Sequence, residues 1–123
     1  MSVKPLLKKD LSAFLKRFDG FKGAELRSFE IISPAIVKIT LAVQDSAREF
    51  DWITIKLELS EIIDARLLEN SKLQHVDMSE GVSIIFTQSQ VAFGIGNYDN
   101  FSNITNSACY IKAASIKYQE DSY

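Results

Sequence analysis

The sequence predicts an α+β fold, with an N-terminal amphipathic helix packed on a bent, mainly antiparallel sheet of about six or seven strands. Two observations point to the sheet and a third to its cover. In residues 37–43 every odd position is large and apolar. In residues 52–59, Ile53, Ile55, Leu57 and Leu59 share one face while Thr54, Lys56 and Glu58 share the other. Period-two alternation marks strands with one buried and one solvated side, the pattern of an antiparallel sheet covered on one face. The cover is residues 5–18, where Leu7, Leu11, Phe14 and Phe18 recur at helical spacing with Leu15 beside them. Pro5 suits a first helical position and Gly20 suits the position beyond the end.

The remaining elements follow in order. Residues 24–32 read as a strand whose alternation slips near Ser28, the mark of a bulge. Ser33-Pro34-Ala35 is a turn. The strands 36–44 and 51–59 are joined by a polar connection over residues 45–50. Residues 62–68 read as a further strand, followed by a helical turn near residues 71–75. Val82, Ile84 and Phe86 alternate, as do Val91, Phe93 and Ile95, and the two runs form a hairpin. Gly94 and Gly96 lie opposite the second run, where something packs against the strand. Residues 97–107 form the longest polar segment. A last strand covers residues 108–119, so the sheet spans 24–119, and residues 120–123 read as a disordered tail. The predicted core comprises the apolar faces of the helix and strands together with Ile111.

Composition bounds the function. The chain has 123 residues, one domain's worth, and a net charge of −2, which predicts no nucleic-acid partner; no apolar run approaches ~20 residues, so no membrane partner is expected either. The single cysteine, Cys109, excludes an internal disulfide, and the N-terminus lacks the apolar core of a signal peptide, so the expectation is a cytosolic protein. Charge is uneven. Residues 1–23 carry six bases against two acids, a net +4, and the remaining residues carry eight against fourteen, a net −6. An acidic body suits a basic partner, because opposite charge steers encounter.

The catalytic inventory is sparse, and no enzyme, metal or cofactor is predicted. One His and one Cys stand in no zinc-ligand spacing. Asp45, Glu49 and Asp51 lack the glycine and spacing of a calcium loop. Gly94-Ile95-Gly96 lacks the third glycine of a dinucleotide fingerprint. A Cys109–His75 pair, a Glu58–Glu61 pair, and the 97–107 loop with a carboxylate are the candidates for nucleophilic or acid–base work, and each has an ordinary structural role open to it. Trp52 and Tyr110 are expected on the solvated faces of their strands, and exposed aromatics of that kind anchor interfaces or pair across strands. The candidate partner-binding residues are therefore Trp52, Thr54, Lys56, Glu58 and Tyr110, with the acids Asp45, Glu49 and Asp51.

The run Phe21-Lys22-Gly23-Ala24-Glu25-Leu26-Arg27-Ser28-Phe29-Glu30-Ile31 resembles the N-terminal signature of small bacterial immunity-protein families from polymorphic-toxin and contact-dependent-inhibition systems. That signature is Phe-His-Asp-Ala-Glu leading into an alternating strand. Leu57-Glu58-Leu59 and the serine-led strand Ser107-Ala108-Cys109-Tyr110-Ile111-Lys112-Ala113 resemble its later parts, so the likeness covers residues 18–119. The family's His-Asp is Lys22-Gly23 here, and no role of that pair carries over. The resemblance implies a non-enzymatic cytosolic protein that neutralises a toxin domain by covering its active site. Many such toxins are basic nucleases, which an acidic face would suit. A small-ligand-binding domain, with an apolar pocket between helix and curved sheet, is the alternative. A homodimer through the Trp52 face is compatible with either.

Overall fold

The computed structural model describes residues 3–123. Its fold is α+β, a seven-stranded antiparallel sheet with one short α-helix among the described residues. The strands are β1 (Lys4–Pro5), β2 (Glu25–Ser33), β3 (Ile36–Asp45), β4 (Asp51–Arg66), β5 (Val82–Phe86), β6 (Val91–Ile95) and β7 (Tyr110–Ser122). They lie in the order β2-β3-β4-β7-β6-β5, and β1 pairs with β7. The helix α1 is Leu11–Arg17. Among the described residues no helix is long and apolar enough to cross a membrane.

The sheet follows the alternation closely. Val37, Ile39, Leu41 and Val43 pair with Leu59, Leu57, Ile55 and Ile53 across β3–β4, and all eight are buried. The expected slip in β2 is a register shift between Leu26 and Ser28, which leaves Arg27 as the extra residue. β4 bends where Glu61 adopts φ 58° and the register with β7 shifts between Ile62 and Asp64. The expected separate strand at 62–68 is thus the continuation of β4 past that bend, and the helical turn is the 3-10 stretch Asn70–His75.

The N-terminal helix is shorter than its sequence pattern suggests. Residues 4 and 5 are extended and pair with Tyr118 and Lys117, and the Leu6 N–H donates to the Ile116 carbonyl at 3.0 Å. A short isolated helix is marginal, so a first segment that can add to a sheet edge does so, and Pro5 is tolerated at such an edge. A 3-10 turn at Lys8–Asp10 then leads into α1. Leu6 is therefore in the core, whereas Leu7, expected there, is 45% exposed. Phe86 and Leu11 are half-buried. The helix seats Phe14 against Phe18 (5.1 Å between ring centres) and Tyr118 (4.9 Å), and Phe18 against Phe21 (5.3 Å). Phe21 is fully buried at φ 64°, a conformation that bulky side chains rarely adopt.

Two further expectations are corrected at the C-terminal half. The tail at 120–123 is ordered as the end of β7, which runs to Ser122. The solvated face of β5, β6 and β7 is covered by residues 97–107, which bring Ile104 onto Ala92 and Tyr110 as a second apolar cluster with Tyr98 and Phe101. The two glycines supply the room: Gly94 lies under Ile104 and Gly96 under Tyr98. The cover is pinned by Ser107, whose buried hydroxyl accepts from the Ile95 and Cys109 N–H groups (3.2 Å each) and lies 2.7 Å from the Ile95 carbonyl.

Candidate functional site

One face of the sheet stays open across β2, β3, β4 and β7. The register builds it in rows. Glu30, Lys38, Glu58 and Lys117 form one row, with opposite charges alternating from strand to strand. Such cross-strand pairs each contribute roughly 0.2–1 kcal/mol. Ser28, Thr40, Lys56 and Gln119 form the next, and Glu25, Ala42, Thr54 and Asp121 the third. Lys56 Nζ reaches Asp121 at 3.4 Å, and the Gln119 amide donates to both Asp121 oxygens at 3.1 Å. These donors hold the Asp121 carboxyl below its usual range, the Gln119 amide contributing most. The third row ends in a corner of different character. Trp52 is 38% exposed and its ring lies 5.9 Å from that of Tyr123. The Arg27 guanidinium sits 4.9 Å from the Tyr123 ring centre and donates to Glu25 at 2.9 Å. Thr54, expected to be solvated, is only 9% exposed, and its partner Ala42 is fully buried.

The structure therefore brings Trp52, Lys56 and Glu58 together on one open surface, with Thr54 as its floor. It places the other candidates elsewhere. Tyr110 is 6% exposed, because Ile104 covers it and its hydroxyl donates to Asp64 at 2.9 Å. That hydrogen bond to a carboxylate raises the phenol's pKa. Asp45 is fully buried and pairs in register with Asp51 on the side facing α1, opposite Trp52. Glu49 is exposed on the β3–β4 connection, where it and Phe50 have φ of 56° and 67°, and Asp51 is exposed at the start of β4. The acids are not part of the Trp52 surface.

Asp45 instead belongs to an ion cluster that nothing in the local sequence signals. Arg17 of α1 donates from Nε (2.7 Å) and Nη2 (2.6 Å) to the two Asp45 oxygens, and from Nη1 (3.0 Å) and Nη2 (2.6 Å) to Glu120 of β7. Arg48 completes a quartet, at 3.3 Å from Asp45 and 3.4 Å from Glu120. Arg17 holds both carboxyl groups below their usual range, chiefly through these hydrogen bonds, and its own pKa is raised in return. The cluster joins residues 17, 45 and 120, and separations of that size carry no spacing motif.

The two residues considered for nucleophilic chemistry border the same cleft. His75 and Cys109 line one open cleft of about 400 Å³ with Lys72 and Asp77. Cys109 is fully buried and burial pushes its thiol up to about 11, so it is protonated at neutral pH and packs as a small hydrophobe. Glu58 lies in register between Lys38 and Lys117, and Glu61 occupies the β4 bend. A second open cleft, of about 660 Å³, runs between Gly23–Arg27 and the segment from Leu73 to Ser79. The space between α1 and the sheet is filled by Leu6, Phe14, Phe18, Phe21 and Tyr118.

No protein-family model, curated protein or solved structure matches the chain.

Proposed function

We propose that the chain is a non-catalytic protein-binding module that engages its partner through the open face centred on Trp52, and that it acts as an immunity protein, covering the active site of a toxin domain. The observation that carries this reading is the corner of Arg27, Trp52 and Tyr123. Arg, Trp and Tyr are the residue types that concentrate binding energy at protein interfaces. Here Arg27 and Trp52 both contact Tyr123 at the end of the open sheet face. The face is balanced in charge, with Glu25, Glu30, Glu58 and Asp121 against Arg27, Lys38, Lys56 and Lys117. It offers no field for steering a basic partner. Shape and aromatic burial would supply the affinity, and paired charges the register.

The test is affinity purification with wild-type and Trp52→Ala baits of matched thermal stability. The expected result is a protein captured by the wild type and lost, by tenfold or more in affinity, with Trp52→Ala. Equal capture by both baits would count against this face. The ligand-binding alternative attaches to a different place from the one expected. It would use the cleft beside Leu26, Leu73, Val76 and Met78, since the space under α1 is packed.

A further inference from the structure

The last residues of β7 are held from both sides. Glu120 projects to the α1 side, where it meets Arg17 and Arg48. Asp121 and Tyr123 belong to the open face, where they meet Lys56 and Trp52. The backbone between them pairs with β4 through Ser122–Ile53, Asp121–Thr54 and Glu120–Ile55. β1 covers the other edge of β7 at residues 117 and 118. The only α-helix among the described residues and the proposed recognition corner are therefore linked through one short segment of strand.

We infer that the Arg17–Asp45–Glu120–Arg48 quartet is a conformational clamp: by anchoring Glu120 to α1 it positions Tyr123 over the Trp52 corner, and releasing it loosens the corner on the opposite face. The coupling is mechanical. Glu120 and Asp121 are adjacent residues on opposite faces of one strand, so the segment cannot move away from Arg17 and keep its place over Thr54 and Trp52. Arg17 is the central member, since it alone donates to both carboxylates by paired hydrogen bonds, and such forks fix orientation as well as distance. Asp45 is in turn held by the Ala47 N–H at 2.9 Å, which ties the clamp to the β3–β4 connection. Ser46 donates to the Arg17 carbonyl at 2.8 Å and fixes the end of α1 there. A partner or modification that displaced α1 would then reach a surface it does not touch. That consequence for binding rests on the function proposed above, but the coupling itself does not.

Trp52 is the only tryptophan in the chain, so its fluorescence reports on the corner alone. The experiment compares wild type, Glu120→Gln, Arg17→Met and Tyr123→Ala at neutral pH, by Trp52 emission and by amide exchange across residues 119–122. Far-UV circular dichroism confirms that each is folded. Tyr123→Ala defines the emission of an opened corner. The expected result is that Glu120→Gln and Arg17→Met shift Trp52 emission toward that state and raise exchange at 119–122 about tenfold, with the β3–β4 core still protected. Arg17→Lys keeps the charge without the fork and should fall between. Wild-type emission and exchange in folded Glu120→Gln and Arg17→Lys would overturn the clamp. No binding partner enters either readout, so failure of the clamp and failure of the proposed function are told apart.

Discussion

A methyl group added at Gly94 would lie 2.5 Å from Ile104 Cγ1, inside any tolerable contact. Ile104 is fully buried, so it has no easy place to go. Gly94→Ala should therefore cost about 1–3 kcal/mol, as overpacked sites do, and denaturant titration would measure it. The same site shows how far individual residues were legible. Glycines opposite an apolar strand face announce a close approach, and the close approach is there. What approaches was not legible, because Ile104 and Tyr98 come from a polar segment whose few apolar residues follow no period. Tyr110 was misplaced for the same reason: its strand alternates correctly, and only the arrival of residues 97–107 decides that its face is covered. Asp45 reads in sequence as one of several loop acids. Its burial depends on Arg17, which arrives from the helix.

Among the elements, β4 carries the main irregularity. It runs for 16 residues and turns at Glu61, whose φ of 58° is strained for any residue but glycine and mild for asparagine. Glu61→Gly should leave stability unchanged or raise it by up to about 1 kcal/mol, while Glu61→Val should lower it by about 1–2 kcal/mol. Thermal melts of the two variants would separate them, and a loss in Glu61→Gly as large as in Glu61→Val would show that the bend is not relieved by backbone freedom. The bend is also why residues 60–68 fit neither period in sequence: past it, β4 keeps β7 as its partner but leaves β3 behind. The helix erred in the other direction. Its apolar spacing begins at Leu7, yet the first residues are drawn into the sheet by β7, a partner more than a hundred residues away. Local pattern cannot report a competitor so distant.

At the scale of the whole molecule, the ion quartet joins α1, the β3–β4 connection and the end of β7. Asp45 and Glu120 have folded-state pKa values lowered by Arg17. Their contribution to stability is therefore complete above the ordinary carboxylate range and is lost as pH falls through the lowered values. Urea midpoints should fall as the pH drops below about 5 in the wild type, and fall less in Arg17→Met, which lacks the group chiefly responsible for both shifts. An identical acid profile in the two proteins would place the acid sensitivity elsewhere. At neutral pH, Asp45→Ala should cost about 2–3 kcal/mol, because it strips a half-buried guanidinium of its paired acceptor.

The sequence by itself determined the α+β class, the antiparallel sheet, the apolar faces of β3, β4, β5 and β6, the bulge in β2 and the place of Trp52 on an open surface. These follow from alternation and turn chemistry, which act over a few residues and are written in the chain as periods. Only the tertiary structure decided which solvated faces stay open, where the helix begins, that residues 120–122 are strand, and that Arg17, Asp45, Arg48 and Glu120 form one cluster. Each of those depends on which distant segment occupies a shared surface, and burial and ion pairing at such a surface are properties of the assembled fold rather than of any window of residues.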